Sequence, residues 1–167
     1  MRIGLIVLVL VTGWHSAAAE VRGVVVDDAT GAPIVGAQVR TQGATGTMTT
    51  DASGAFECRA VVPEPLPIPH DGPVGRLLAA LGRHPWRPAH LHFMVSAPGY
   101  QRLVTHVFRR GSQYLDSDAV FGVRSSLVAD WVRHEPGRTP DGQTSAVPFT
   151  TLDFAFVLNN DITGDRP

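Results

Sequence analysis

The sequence has 167 residues, of which 44% are hydrophobic and 17% charged. This length suffices for one domain with a hydrophobic core and is short for two. Its 14 basic residues, all Arg, nearly balance 15 acidic ones, giving a formal charge of −1. Because no basic run occurs, nothing in the composition favours nucleic acid or an anionic membrane as a partner.

The first 19 residues have the pattern of a secretory signal peptide. Arg2 supplies a positive charge, residues 3–11 are apolar, and the Ala-Ala-Ala of residues 17–19 offers a small-residue cleavage site, which predicts a mature chain beginning at Glu20. The apolar run is shorter than the roughly 20 residues that span a membrane, although an uncleaved anchor stays open. We therefore expect export to the periplasm or outside the cell, with one domain over residues 20–167.

Residues 21–60 alternate short β-forming segments with turns. Strands are predicted at residues 21–26, 37–41, 47–50 and 55–59, separated by Asp- and Gly-containing turns. The stretches VRGVVVDDATGAPIVGAQV and TTDASGAF resemble the carboxypeptidase regulatory-like module, a transthyretin-like β-sandwich, which bears on the fold and hardly on chemistry. Cys58 is the only cysteine, so an internal disulfide is excluded and a small buried hydrophobe is expected.

A proline-rich loop and a short helix come next. Residues 63–73 are expected to be extended and without a regular ladder, because proline lacks an amide donor and fixes φ. Residues 74–81 have helical spacing, with Asp71 as the expected N-cap, Pro73 in the first turn and Gly82 at the end.

Residues 90–95 form the most informative strand. A period of two places Leu91, Phe93 and Val95 on the face toward the core and turns the other face outward. After a turn at residues 97–100, residues 103–108 are expected to return as the hairpin partner, and residues 151–158 alternate as a half-buried strand. These elements predict an all-β, transthyretin/prealbumin-like sandwich with one short helix.

His90 and His92 lie two residues apart on this strand and project from one face, close enough to chelate one metal ion. Imidazole suits iron, zinc and copper, so the pair alone does not name the metal. The alternative is two exposed or hydrogen-bonded histidines on a polar face.

The surrounding segment, with GRHPWRPAHLHF at its centre and GSQYLDSDAVFGVRSSLVADWVRH further on, resembles the core of intradiol ring-cleavage dioxygenases over residues 63–158, especially the hydroxyquinol 1,2-dioxygenase branch. That family holds Fe(III) with two tyrosine phenolates and two histidines, and uses O₂ to cut a catechol- or hydroxyquinol-type diol between its hydroxylated carbons. The resemblance implies that His90 and His92 are the histidine ligands and that Arg87 is catalytic, facing the charge that develops on the substrate. It implies a small aromatic diol and O₂ as partners.

The sequence departs from this family at both tyrosines. Where the family has Tyr-Pro-Ile-Pro before the DGPVG stretch, this chain has Leu66 at the position of the tyrosine, and the loop with the other tyrosine is absent. Tyr100 and Tyr114 are the only tyrosines, and both match non-ligand positions. A site without phenolates is expected to bind Fe(III) poorly and to favour a borderline divalent ion instead, or to bind no metal.

Several residues stay open as substitutes or neighbours. Glu64, or His70 or Asp71 in the same loop, could complete a facial site of two histidines and one carboxylate; a solvated loop charge is the other interpretation of Glu64, and a helix cap that of Asp71. His106 matches a catalytic position near the iron, and it shares a face with His90 only if the hairpin loop has an odd length. Packing is expected for Trp86, which flanks the motif.

Two functions from different classes follow from these observations. One is iron-dependent ring cleavage of a catechol- or hydroxyquinol-type diol by O₂. The other is a catalytically degenerate, exported binding module for a metal or an aromatic ligand. A purely structural β-domain, suggested by residues 21–60, is a third.

Overall fold

The computed structural model describes residues 18–42, 44 and 46–161. The predicted signal segment lies outside this part of the chain except for its last two residues, which belong to the first strand. Ala19 is fully buried and pairs with Thr150 on one side and Ala60 on the other. Cleavage after Ala19 would therefore remove a buried residue of the sheet, and export stays a prediction.

Thirteen strands, one α-helix and one 3₁₀ turn occur in the described residues. In chain order they are β1 (Ala18–Asp27), β2 (Gln38–Thr41), β3 (Met48–Thr49), β4 (Ala55–Val61), β5 (Leu66–Pro67), α1 (Pro73–Ala80), β6 (Trp86–Arg87), β7 (His90–Ser96), β8 (Leu103–Arg109), a 3₁₀ turn (Ser125–Leu127), β9 (Val128–Ala129), β10 (Trp131–His134), β11 (Gly137–Arg138), β12 (Thr144–Ser145) and β13 (Phe149–Leu158). None of the helical segments described is long and apolar enough to cross a bilayer.

Two sheets form the body of the molecule. One has the strand order β10-β13-β1-β4 and the other β3-β2-β7-β8-β9, with two small two-stranded ladders, β5-β6 and β11-β12, outside them. The β1-β13 and β8-β9 pairs are parallel and the remaining pairs antiparallel. The prediction of an all-β sandwich with one short helix is confirmed.

The core lies between the two sheets. Leu91, Phe93 and Val95 of β7 are buried, as the alternation predicted. Phe93 packs against Phe156 of β13 with ring centroids 4.9 Å apart. Cys58 of β4 is partly buried against this core. Burying one face of β7 leaves its other face to present the histidines.

Two local predictions are wrong. Gly72 is the N-cap of α1 and no side chain caps the helix, so Asp71 does not have that role; Gly82, with φ of 62°, does end the helix as expected. The proline-rich loop also contains a ladder, because β5 pairs with β6. Ile68 donates its N–H to the Pro85 carbonyl at 2.9 Å, so the missing amide hydrogen of proline does not prevent the pairing.

Candidate metal centre

Three histidines meet on the outward face of the second sheet. His90 and His92 lie on β7 and His106 on β8, directly opposite His92. The ring centroids of His92 and His106 are 4.2 Å apart, and the Nε2 atoms of His90 and His92 are 3.1 Å apart. One ring nitrogen from each lies within 4.8 Å of the others. We call these three residues the histidine cluster.

The hairpin loop settles the position of His106. The last pair of the β7-β8 ladder joins Val95 to Leu103, which leaves an odd number of residues, 96–102, between them. In an antiparallel pair, directly opposite residues point to the same face. His106 therefore shares the face of His90 and His92, the arrangement that the sequence left open.

The backbone holds the His90 ring in one tautomer. Its Nδ1 is 2.6 Å from the Pro88 carbonyl oxygen, and because a carbonyl only accepts, Nδ1 carries the hydrogen. The Nε2 lone pair of the neutral ring then faces the cluster, where the Arg87 guanidinium donates to it across 3.2 Å. A histidine whose second nitrogen bonds a carbonyl is the usual arrangement of a metal ligand.

Burial keeps the cluster unprotonated. Desolvation lowers the pKa of His90 and His92 below the usual value, with a further contribution from the Arg87 cation. Desolvation, and then the neighbouring His92, lowers the pKa of His106 to about 4. All three rings are therefore neutral at pH 7 and can donate a lone pair to a metal ion.

Arg87 is fixed by a buried ion pair that the sequence did not reveal. Its Nε and NH2 groups donate to the two carboxylate oxygens of Asp118 at 3.1 and 3.4 Å, and both residues are buried. The N–H groups of Val120 and Gly122 also donate to Asp118. Although burial raises the pKa of the Asp118 carboxyl, these hydrogen bonds hold it below its usual range. A carboxylate so held stays ionised and positions the guanidinium beside His90.

Leu66 lies opposite Arg87. It pairs directly with Arg87 in the β5-β6 ladder, so the two side chains leave the ladder on one side. Its side chain is 45% exposed. The position where the family resemblance implies a tyrosine is thus the cross-strand partner of Arg87, whose guanidinium contacts His90.

Neither tyrosine belongs to the cluster. The Tyr100 phenol hydrogen-bonds the Asp27 carboxylate at the end of β1. Tyr114 stacks on Trp86, with centroids 5.8 Å apart and planes 13° from parallel, which accounts for the expected packing role of Trp86.

The candidate substitute ligands also point elsewhere. The exposed Glu64 carboxylate is 3.6 Å from Arg109 NH1, and the exposed His70 ring is 3.0 Å from the Ile68 carbonyl. In the described part of the chain, neither joins the group that can hold a metal ion. Their role as ligands stays a prediction with no support from this geometry.

Comparison with known proteins identifies the family. Residues 14–160, most of the chain, match the protein family described as Dioxygenase. The chain belongs to the intradiol ring-cleavage dioxygenases. It is 59% identical over 114 residues to the 6-chlorohydroxyquinol 1,2-dioxygenase of Cupriavidus pinatubonensis, a match that covers 68% of this chain and 37% of that protein. It is 52% identical over 106 residues to the hydroxyquinol 1,2-dioxygenase of Nocardioides simplex, covering 63% and 36%.

Solved structures of intradiol dioxygenases share the fold. The hydroxyquinol 1,2-dioxygenase of Pseudomonas putida DLL-E4 superposes with a TM-score of 0.78 and 38% identity, covering 87% of this chain and 57% of that one. The catechol 1,2-dioxygenase of Pseudomonas arvilla C-1 superposes with a TM-score of 0.79 and 28% identity, and the match covers 90% of this chain and 55% of that one. This chain therefore spans between a third and two thirds of the proteins that it matches.

The ferric ion on which intradiol dioxygenases depend does not fit the donors present here. The cluster offers three neutral imidazoles, and Leu66, the cross-strand partner of Arg87, is apolar. The nearest fixed charge is the Arg87 cation, 3.2 Å from the Nε2 of His90. Fe(III) is a hard ion that is stabilised by anionic oxygen, whereas imidazole suits borderline divalent ions. The described residues therefore form a nitrogen site rather than a ferric phenolate site.

The lowered pKa values predict how stability depends on pH. Below about pH 6.5 the unfolded chain binds protons at these histidines that the folded chain does not. Their contribution to stability is therefore complete above that pH and is lost as the pH falls toward about 4, the folded pKa of His106. His90, His92 and Arg87 around His106 oppose its protonation, and Asp118 favours it. In urea denaturation with EDTA, His106→Gln should show a shallower fall than wild type between pH 6.5 and 4. Equal slopes would contradict the shift.

Proposed function

We propose that this chain binds catechol- or hydroxyquinol-type diols beside the histidine cluster and does not cleave them at the rate of a complete intradiol dioxygenase. One observation carries the proposal: the buried Arg87–Asp118 pair holds a cation beside the cluster, and Leu66, at the position where the resemblance implies a tyrosine, pairs with Arg87. The named relatives are hydroxyquinol and chlorohydroxyquinol 1,2-dioxygenases, which supports an aromatic diol as the ligand class.

Arg87 has the donors to hold an ionised diol. Its Nε and NH2 groups bond Asp118, and its NH1 group points to His90. NH1 can turn to an anionic diol oxygen without breaking the buried pair. Hydrogen bonds between charged groups are worth about 1.5–3 kcal/mol.

An apolar side chain next to this cation can contact the ring. Leu66, the cross-strand partner of Arg87, is 45% exposed, whereas Trp86 points to the other side of the β5-β6 ladder and stacks on Tyr114. The loop after Asp118 closes tightly there, since a Cβ on Gly122 would stand 3.1 Å from Arg87 NH2 and 3.2 Å from Asp118 Oδ2. A flat aromatic diol, apolar on its faces and polar at one edge, suits this surface.

Ring cleavage is the second candidate function. The 59% identity to a chlorohydroxyquinol 1,2-dioxygenase favours it. In that case both atoms of O₂ would enter the diol and open its ring to a muconate or maleylacetate product. Export of the chain remains part of the proposal, on the pattern of residues 1–19 alone.

Diol binding is tested with 4-nitrocatechol, whose absorption reports ionisation and binding. Saturable binding is expected, and Arg87→Gln should weaken it at least tenfold, or about 1.4 kcal/mol. Because that change leaves the Asp118 carboxylate buried without its partner, the double variant Arg87→Gln/Asp118→Asn, which removes both buried charges, is measured beside it. Arg110→Gln, which removes an exposed arginine, is the matched control. Equal binding by wild type and the double variant would contradict the role of Arg87.

Oxygen uptake with hydroxyquinol decides between diol binding without turnover and ring cleavage. Hydroxyquinol also reacts with O₂ without a protein, so oxygen uptake by wild type is compared with that of a His90→Ala/His92→Ala variant. Equal uptake supports binding without turnover. Faster uptake by wild type, together with a ring-opened product, would establish ring cleavage.

A further inference from the structure

We propose that the histidine cluster is a three-nitrogen site for a borderline divalent cation such as Zn(II). His106 is the third ligand, whereas the family uses phenolate oxygens beside its two histidines. The proposal deepens the proposed function, because the ion would lie where the diol is expected to bind. It rests on the mismatch between the family's ferric ion and the donors that this chain presents. The sequence resemblance assigns only His90 and His92 as ligands.

The spacing of the nitrogens fits one small ion. Two nitrogens that each lie about 2.0–2.1 Å from a shared ion are about 3 Å apart. The Nε2 atoms of His90 and His92 are 3.1 Å apart, which satisfies this distance as they stand. The His106 nitrogen lies within 4.8 Å of both, and its half-buried ring can close that gap by rotating about its side-chain bonds. The three donors then occupy one side of the ion and leave the opposite side open.

The protein frame holds these donors close together before an ion binds. His90 is buried, and the Pro88 carbonyl fixes its ring with Nε2 facing the cluster. His92 and His106 are direct neighbours across paired strands whose ladder continues on both sides of them. Ligands on paired strands lose little freedom when the ion binds, in contrast to ligands on a loop.

Arg87 determines what kind of ion and partner the site accepts. Its NH1 group now bonds the His90 lone pair and must leave when an ion binds there, while Nε and NH2 can stay on Asp118. A fixed cation so close disfavours a trivalent ion more than a divalent one. It also favours an anion at the open coordination position. The site should therefore bind a divalent ion weakly alone and more tightly together with an ionised diol oxygen.

Zinc fits this donor set and is the probe. Three histidines with one open position are the ligand arrangement of a catalytic zinc site. Co(II) occupies such sites with similar geometry and gives a visible spectrum that reports the coordination number. Protein prepared without a histidine tag and stripped with EDTA is titrated with Zn(II) by calorimetry and with Co(II) by absorption, without diol.

One ion per chain is expected, with the strong visible Co(II) bands of four-coordination. His90→Ala, His92→Ala and His106→Ala should each lower Zn(II) affinity at least tenfold. His84→Ala and His70→Ala are matched controls, because both rings lie outside the cluster, His70 being exposed and His84 partly exposed, and both should bind like wild type. Wild-type affinity in His106→Ala would overturn the three-nitrogen site, as would a tenfold loss in either control.

A second measurement covers variants that fail to fold. In wild-type protein, ¹⁵N NMR of the imidazole rings should show three histidines whose nitrogen signals shift on addition of one equivalent of Zn(II). A shift of two rings or none would overturn the proposal. Since neither measurement contains diol, zinc binding with three shifted rings but no nitrocatechol binding would refute only the proposed function.

Discussion

Replacing Leu66 with tyrosine is expected to give a protein that becomes visibly coloured when loaded with iron, while wild type stays pale. Leu66 pairs with Arg87, whose guanidinium lies 3.2 Å from the His90 Nε2, so a phenol at residue 66 would stand beside the cluster. A phenolate bound to Fe(III) absorbs visible light by charge transfer from ligand to metal. Because Leu66 is 45% exposed, the larger ring should cost less than the 1–3 kcal/mol typical of an overpacked core.

Leu77→Tyr is the matched control for this variant. Leu77 is an exposed leucine on α1, so its replacement adds the same phenol away from the cluster and should give no band. A folded, iron-loaded Leu66→Tyr protein without a visible band would mean that residue 66 does not face the metal. Catechol cleavage by the variant should remain weak, because the second tyrosine of the family has no counterpart here.

Asp118→Asn is expected to destabilise the protein by about 3–5 kcal/mol, because it leaves the buried Arg87 cation without a compensating charge. The side chains of Arg87 and Asp118 are only 9% and 2% exposed. The free energy of unfolding from urea denaturation at pH 7 measures the loss. For a domain of this size, a loss of that order is a large part of the total stability.

The control is Asp130→Asn, which breaks an ion pair of opposite exposure. Arg110 Nε and Asp130 Oδ1 are 2.7 Å apart, and the two side chains are 59% and 69% exposed. Exposed ion pairs of this kind contribute about 0–1 kcal/mol to stability. The double variant Arg87→Gln/Asp118→Asn should recover part of the loss, since it removes both buried charges. Similar losses in the two single Asn variants would show that burial does not determine the energy of the Arg87–Asp118 pair.

The sequence predicts the parts of the site that depend on local periodicity. The alternation along β7 is enough to send Phe93 to the core and His90 and His92 to the opposite face, because adjacent residues of a strand point to opposite sides. The family resemblance adds Arg87 and the position of Leu66. These residues lie close together in sequence or in one ladder, where the spacing along the strand determines the face to which each side chain points.

The rest of the site depends on contacts between distant segments. Asp118 meets Arg87 across 31 residues, through a loop in which Tyr114 and Phe121 have positive φ values. Nothing in the composition of that loop shows which of its carboxylates turns inward. His106 could not be placed because its direction depends on whether the hairpin loop is odd or even. The predicted Asp71 cap failed for a local reason instead, since the N-cap is the next residue, Gly72.

The position of β1 in its sheet has a consequence for how the chain folds as it is synthesised. β1 lies between β4 and β13, and Arg22 of β1 bonds Asp153 of β13 across 131 residues of sequence. A ribosome would release β1 and β4 long before β13 emerges. Until then one edge of β1 has no neighbouring strand and can pair with another nascent chain. Slow acquisition of native structure follows from this strand order, as does aggregation when many such nascent chains are present together.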